Sequence, residues 1–245
     1  MNIKEIEQTP YTTNPRFAPV DNVVLKPYTD DQYNEREFEY NHLGAEIYFE
    51  SDIAKKEGLV EKTSEAMQLW ELPFADIEEF GLEIPDDVII MHKGKVEACF
   101  VAMASGWNPS KVAGMTLSEV HEPVADSDML RKASEGIWRA MTSGKSFHRY
   151  TWGISPLRYL SNHPNWPKPD FESLDDLYFR VEHERTLTVD KDTAAFFIDV
   201  TVKRLPFIFH LKNEYNDLIK QSINSMSDNV LKYKNLEKVK ELINA

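Results

Sequence analysis

Alternating apolar and polar positions define a β-rich region that begins near Pro85. The run DDVIIMHKGKVEACFVAMAS holds two strand-like stretches around His92-Lys93-Gly94-Lys95, which predicts a hairpin with Gly94 in its turn. Residues 108–144 predict short helices, of which ADSDMLRKASEGIWRAMTSG is the longest amphipathic segment. Three further strands are predicted, separated after the first by a proline-rich loop, in HRYTWGIS, LYFRVEHERTLTV and AAFFIDVTV.

The flanking segments have different patterns. Residues 1–40 are rich in Pro, Asn, Tyr and Asp, and the stretch PYTTNPRFAPVDNVVLKPY within them predicts an extended arm over the core. Two acidic helices are predicted, one in DDQYNEREFEYNHLGAEIYFE and one that starts at the capping-box sequence TSEA, at Thr63. Residues 214–245 predict amphipathic helices that pack on the body, with docking to a partner as the alternative.

The order of two strands, helices and three strands resembles the PAS fold. That resemblance implies an α+β protein in which a helical lid closes a pocket over one face of a five-stranded antiparallel sheet. The expected organisation is an N-terminal arm with helices over residues 1–84, a PAS-like core over 85–210 and C-terminal helices over 211–245.

Composition narrows the class of protein. The 41 acidic and 28 basic residues give a net charge of −13, which repels phosphate backbones and argues against nucleic-acid binding. No apolar run approaches the roughly 20 residues that span a bilayer, and the N-terminus lacks the pattern of a signal peptide, so a cytoplasmic protein without membrane contact is expected. Cys99 is the single cysteine and is expected to be a buried apolar residue, which excludes a disulfide within the chain.

Common catalytic signatures, including GxxxxGK, GxGxxG, GxSxG, HExxH and CxxC, are absent. The seven histidines are scattered without the spacing of a multi-histidine metal site, which leaves a site with one protein ligand. His121 is followed by Glu122 and Pro123, so its imidazole lies at a chain turn, where it is either a polar helix cap or a ligand. A single imidazole suffices to bind heme iron because the porphyrin supplies four nitrogens.

Three stretches, SGWNPSKVAGMTLSEVHEPV, FHRYTWGIS and LYFRVEHERTL followed by AAFFIDV, occur in an order that resembles the catalytic heme subunit of heme-dependent oxidative N-demethylases, a group that includes dimethylamine monooxygenases. The resemblance extends from about Arg16 to Val202 and is clearest from Val88 onward. RVEHERTL has one residue more than the family's RVERQTL pattern, so the family's arginine corresponds to either Arg180 or Arg185.

The resemblance implies roles for particular residues. His121 corresponds to the proximal ligand of the heme iron, with His148 as its rival. Arg149 corresponds to a catalytic residue that orients a bound oxygen species or supplies a proton through water, and its alternative role is a salt bridge to a propionate or a carboxylate. The remaining cofactor-binding residues implied by the resemblance are Trp107, Trp152, Arg180 and Arg185.

The two-residue period of strands limits which of these side chains share a face. Arg149 and Trp152 lie on opposite faces of a regular strand, so either the strand bulges or Trp152 packs in the core. By the same rule Arg180, Glu182 and Glu184 share one face, while Val181, His183 and Arg185 share the other.

The family resemblance implies a monooxygenase in which heme b activates dioxygen, one methyl group of a small methylated amine is hydroxylated, and the product separates into formaldehyde and a shorter amine. The electrons must come from separate reductase subunits that carry NADPH, FMN and an iron–sulfur cluster, because this chain has no nucleotide fingerprint and too few cysteines for a cluster. Two alternatives are a PAS-like heme or small-ligand sensor and a noncatalytic subunit that has lost heme.

Overall fold

A computed structural model describes residues 9–14, 16–69, 74–211 and 213–245. These residues form an α+β structure around one antiparallel sheet with the strand order β1-β5-β6-β7-β3-β4-β2. The strands are β1 Ala18–Val20, β2 Tyr48–Glu50, β3 Asp87–His92, β4 Lys95–Phe100, β5 Ser146–Ser155, β6 Tyr178–Asp190 and β7 Thr193–Arg204. The α-helices are α1 Asp30–Leu43, α2 Asp52–Glu57, α3 Leu59–Ala66, α4 Ile77–Glu83, α5 Leu117–Val120, α6 Asp128–Met141, α7 Leu205–Leu211, α8 Asn213–Asn224, α9 Asp228–Lys234 and α10 Glu237–Asn244.

The five long strands lie where their patterns predict them, and the hairpin is confirmed. Lys93 and Gly94 both have positive φ, 50° and 79°, which is the conformation of a two-residue turn that matches the twist of the flanking strands. The sequence predicts five strands, but the sheet formed by the described residues has seven. The additional strands β1 and β2 each hold three residues and pair with the edges of β5 and β4, so they are too short to show an alternating pattern.

Two details of the N-terminal helices also differ from prediction. The first predicted helix ends at Leu43, before Gly44 with φ 50°. The last three residues of the segment predicted to be helical, Tyr48–Glu50, form strand β2 instead. The second helix, α3, starts at Leu59 rather than at Thr63, because Gly58 adopts the left-handed conformation that ends α2 and begins α3. The Thr63 hydroxyl donates to the carbonyl oxygen of Leu59 inside the helix.

Each face of the sheet is covered by different helices. The lid face is covered by α5 and α6, and its residues include Ile89, Met91, Phe147, Arg149, Thr186 and Phe196. The back face is covered by α1–α4 at the β3–β4 end and by α7–α10 at the β5–β6 end, and its residues include Val88, Ile90, Trp152, Phe179, Val181 and Phe197. Both termini of the described chain therefore pack against the same sheet.

A buried ion pair ties helix α1 to the sheet. Arg36 on α1 is 1% exposed and donates to Asp87 at the start of β3 over 3.1 Å, and Asp87 also accepts the backbone amides of Ala102 and Met103. Burial raises the pKa of Asp87, while Arg36 and the two amides oppose that increase.

Among the described residues, no helix is long and apolar enough to cross a membrane.

Candidate functional site

A cavity of about 430 Å³ lies between helix α6 and the lid face of the sheet. Helix α6 is amphipathic and buries Leu130, Ser134, Ile137 and Met141, which recur at helical spacing. Gly136 faces open space, because a Cβ atom built there has no neighbour within 4 Å. The cavity is lined by Phe17, Lys132, Ala133, Glu135, Gly136, Ile137, Arg139, Ala140, Met141, Phe147 and Thr186.

An ion pair between Arg149 on β5 and Glu184 on β6 lies next to this cavity on the same face of the sheet. The two residues lie directly opposite each other in the ladder, one alternate position along from the cavity residues Phe147 and Thr186. The Arg149 guanidinium also lies over the ring of Phe17 at 5.3 Å, and Phe17 is itself a wall of the cavity. The ion pair therefore borders the cavity through Phe17, Phe147 and Thr186 and is not itself part of the lining.

Burial controls the electrostatics of this pair. The side chains of Arg149 and Glu184 are 17% and 6% exposed. Burial raises the pKa of Glu184, and the Arg149 guanidinium opposes that increase. The ion pair uses Nε of Arg149, and its two terminal nitrogens make no hydrogen bond within the described residues. Arg149 thus keeps donors for a ligand while Glu184 holds the guanidinium in place.

His121 lies at the end of α5, close enough to Arg149 for that charge to lower its pKa. Burial makes the larger contribution and also lowers the His121 pKa, so the imidazole is neutral at pH 7. Its Nδ1 atom donates to the carbonyl oxygen of Leu117 over 2.7 Å, which leaves Nε2 unprotonated. Within the described residues Nε2 makes no hydrogen bond. This is the arrangement in which histidine binds metals.

The local sequence explains why His121 is held in this way. Thr116 caps α5 and forms a capping box with Glu119, in which each side chain bonds to the other residue's backbone amide. Gly114 has φ 72° and allows the turn that precedes the cap. The helix ends after one turn at His121, whose ring bonds back to Leu117. The residues from Gly114 to His121 thus hold the imidazole of His121 in its position.

The other two sequence-predicted residues on this side of the sheet are engaged elsewhere. Arg180 donates to the carbonyl oxygens of Met103 and Leu160 and to Glu182, so its guanidinium holds two loops against the sheet. Trp107 is partly buried and packs in an apolar cluster with Cys99 and Val101. Cys99 is fully buried, and burial raises the pKa of its thiol, as expected for an apolar role.

Three of the sequence-predicted residues lie on the back face, away from the cavity. Strand β5 pairs with β6 without a bulge, so Trp152 points away from Arg149 and stacks on Phe179 with ring centroids 5.4 Å apart. Arg185 forms a buried ion pair with Asp86 and donates to the carbonyl oxygen of Val24. His148 is bonded to His183. The structure therefore brings together His121 and Arg149 and separates them from Trp152, Arg185 and His148.

Sequence reasoning missed several residues of this site. Phe17 comes from the predicted arm, and nothing in its local pattern places it beside Arg149. Glu184 was assigned to the face of Arg180 and Glu182 by alternation, but its pairing with Arg149 follows from the register between β5 and β6. Lys132 and Arg139 at the cavity appear in the sequence as ordinary charges of an amphipathic helix.

Comparison with known proteins agrees with the resemblance noted from the motifs. A family described as "Haem-dependent oxidative N-demethylase, alpha subunit-like" matches residues 48–244, which include every part of the site except Phe17. A comparison with curated proteins finds no match. The family match covers more than half of the chain and confirms the predicted resemblance. The chain belongs to the heme-dependent oxidative N-demethylase, alpha subunit-like family.

Proposed function

We propose that this chain is the heme-binding subunit of an oxidative N-demethylase that acts on a small, dimethylamine-like methylated amine with dioxygen. The observation that carries the proposal is the neutral His121, with Nδ1 anchored on the Leu117 carbonyl and Nε2 unprotonated, close to the paired Arg149. One anchored imidazole with an unprotonated Nε2 is the protein contribution that heme iron requires.

The lining of the cavity fits a flat, largely apolar group with two carboxylates. Its volume of about 430 Å³ falls in the range of small-molecule sites, roughly 300–1,000 Å³. Phe17, Phe147 and Ile137 supply apolar walls, and Lys132 and Arg139 supply cations suited to propionates. His121, which is not one of these lining residues, is proposed to hold the iron through Nε2. Heme bound in this way would supply the dioxygen chemistry that no side chain of the protein provides.

Arg149 is proposed as the catalytic residue. Its terminal nitrogens are proposed to donate hydrogen bonds to an anionic or polar group bound next to the cavity, since Nε alone is used by Glu184. The ion pair and the contact with Phe17 fix the guanidinium before the substrate arrives. Preorganised donors of this kind stabilise developing charge without reorganising during the reaction.

Electrons are proposed to come from separate reductase subunits that carry NADPH, FMN and an iron–sulfur cluster. The chain contains one cysteine, and that residue is fully buried, so it cannot hold a four-cysteine cluster. The family description as an alpha subunit supports a multi-subunit enzyme. The PAS-like description is proposed for the five long strands and the lid of α5 and α6, with β1 and β2 as additions at the edges.

Reconstitution with hemin tests the proposal. The parent chain is expected to take up one heme with a Soret band, and His121→Ala is expected to lose it, because the iron would lack its protein ligand. His148→Ala is the matched control and is expected to bind heme normally, since His148 lies on the back face.

The outcomes separate the alternatives. Failure of the parent to bind heme would overturn the proposal in favour of a noncatalytic subunit. Heme uptake by His121→Ala at the parent level would remove His121 as ligand. Heme binding without formaldehyde release from dimethylamine, in the presence of reductase, would favour a heme sensor.

A further inference from the structure

Two histidines on neighbouring strands meet on the back face of the sheet. His148 on β5 and His183 on β6 bring Nδ1 of the first to within 3.0 Å of Nε2 of the second. Both residues are half-buried. They lie on the opposite face of β5 and β6 from Arg149 and Glu184, so the heme cavity and its proposed function do not involve them.

The strands and an aromatic neighbour hold the two rings. His148 is paired with Arg185, and His183 with Tyr150, in a ladder that runs without a bulge through all nine pairs of β5 and β6. The Tyr150 ring stacks on His183 at 4.3 Å and 13° between planes, while the two imidazole planes are 76° apart. Sites built on strands are more precise than sites built on loops.

The distance between the two nitrogens indicates which ions suit the pair. Imidazole nitrogens bind first-row divalent metals at about 2.0–2.1 Å. Two nitrogens 3.0 Å apart then subtend an angle of roughly 91–97° at a shared ion. That angle is close to the right angle of tetragonal Cu²⁺ or Ni²⁺ and well below the tetrahedral angle of Zn²⁺.

The surroundings of the two histidines are compatible with a cation that has few protein ligands. Arg185 is next to His148 in the ladder, but the buried carboxylate of Asp86 offsets its charge. Within the described residues, no three His, Cys, Asp or Glu side chains converge on one point, so water would complete the coordination. An ion held by two imidazoles exchanges with solvent more readily than one in a closed structural site.

We propose that His148 and His183 form a two-imidazole binding site for Cu²⁺ or Ni²⁺ on the back face of the sheet. The metal replaces the hydrogen bond between the two rings; the imidazole that donates this bond takes the tautomer with its proton on the other ring nitrogen, and the ion joins β5 to β6 behind the Arg149–Glu184 pair. The site is separate from the heme ligand, so His121→Ala is expected to leave metal binding unchanged.

Calorimetric titration with Cu²⁺, on the full chain without a histidine tag and with glycine as a weak competitor, tests this site. The parent is expected to bind one ion. Removing a hydrogen-bond partner of a metal-binding side chain already costs about 10- to 100-fold in metal affinity. Loss of a ligand itself should cost at least as much, so His148→Asn and His183→Asn are each expected to weaken binding at least about tenfold. His42→Asn, at an exposed histidine on α1, is the matched control and is expected to bind like the parent.

Absence of one-to-one binding by the parent, or parent-like affinity in either variant, would overturn the proposal. Thermal unfolding without metal establishes that the variants fold. If one does not fold, pulsed electron paramagnetic resonance of the Cu²⁺-loaded parent still decides, because two imidazole nitrogens are expected and fewer contradict the site.

Discussion

At the scale of single residues, the site joins groups whose charge states are set by burial and by one partner each. His121 is neutral because burial and Arg149 both lower its pKa, and its tautomer is set by the Leu117 carbonyl. Arg149 is charged and buried because Glu184 pairs with it. A neutral imidazole and a paired cation near each other would suit the proposed heme, which carries both a metal and anionic groups.

Replacing Arg149 with Ala is expected to lower the free energy of unfolding by about 3–5 kcal/mol, because Glu184 is left buried without its counter-charge. Arg149→Lys keeps the charge and is expected to cost less stability, yet it loses the planar donors and should abolish formaldehyde release while heme uptake persists. Urea unfolding, heme absorbance and formaldehyde assays measure the three effects. Full turnover by the Lys variant would exclude the proposed role of Arg149.

His163 is expected to make the stability fall on acidification. The residue is fully buried, and burial lowers its pKa below the ordinary value of about 6.5. Below that value the unfolded state binds a proton that the folded state rejects, so the free energy of unfolding decreases as the pH falls. Urea unfolding at about pH 7.5 and 5.5 should show a smaller decrease for His163→Asn. An equal decrease in both proteins would show that another group is responsible.

At the scale of elements, two helical glycines have opposite environments. On α4, a Cβ atom at Gly81 would lie 2.0 Å from the Phe100 ring, so the helix approaches β4 as closely as it does because no side chain intervenes. On α6, a Cβ atom at Gly136 would have no neighbour within 4 Å, and this glycine borders the cavity. The first glycine serves packing, whereas the second leaves room above the floor of the site.

Gly81→Ala is therefore expected to destabilise the protein by about 1–3 kcal/mol through overpacking against Phe100. The same substitution at Gly136 is the control and is expected to stabilise by up to about 1 kcal/mol, since alanine favours the helix and meets no atom. Chemical denaturation of the two variants gives the comparison. A Gly81→Ala protein as stable as the parent would mean that α4 shifts away from β4 at little cost.

At the scale of the whole molecule, the terminal helices are part of the core. Helices α7–α10 bury Ile219, Ile223, Leu231, Leu236 and Val239 against Trp152, Phe179 and Val181, which confirms packing on the body for these segments. Helices α1–α4 cover the back face at the β3–β4 end. The N-terminal and C-terminal helices thus pack on one face of the sheet, and the cavity lies on the other.

Ile223→Ala in α8 is expected to cost about 2–5 kcal/mol, because the side chain is fully buried among the C-terminal helices. Ile53→Ala in α2 is a matched control at a residue that is 50% exposed, and it should change the stability by less than about 0.5 kcal/mol. Thermal or urea unfolding provides both values. Equal small effects would indicate that the C-terminal helices unfold independently of the sheet.

The sequence by itself determined the elements whose signals are local. The hairpin at Gly94, the amphipathic helix α6 and the strands β5, β6 and β7 follow from periodicity and turn residues over short windows. Alternation also separated Arg149 from Trp152 correctly, because β5 is regular. The cap that holds His121 belongs to the same class, since all its residues lie between 114 and 121.

Tertiary structure alone decided which distant segments meet. Strands β1 and β2 exist because their three residues pair with long strands, and so short a segment shows no periodicity. The pairing of Arg149 with Glu184, the contact with Phe17, and the meeting of His148 with His183 depend on strand register and on the path of the arm. Register and chain path are set by packing over the whole sheet, which no local pattern contains.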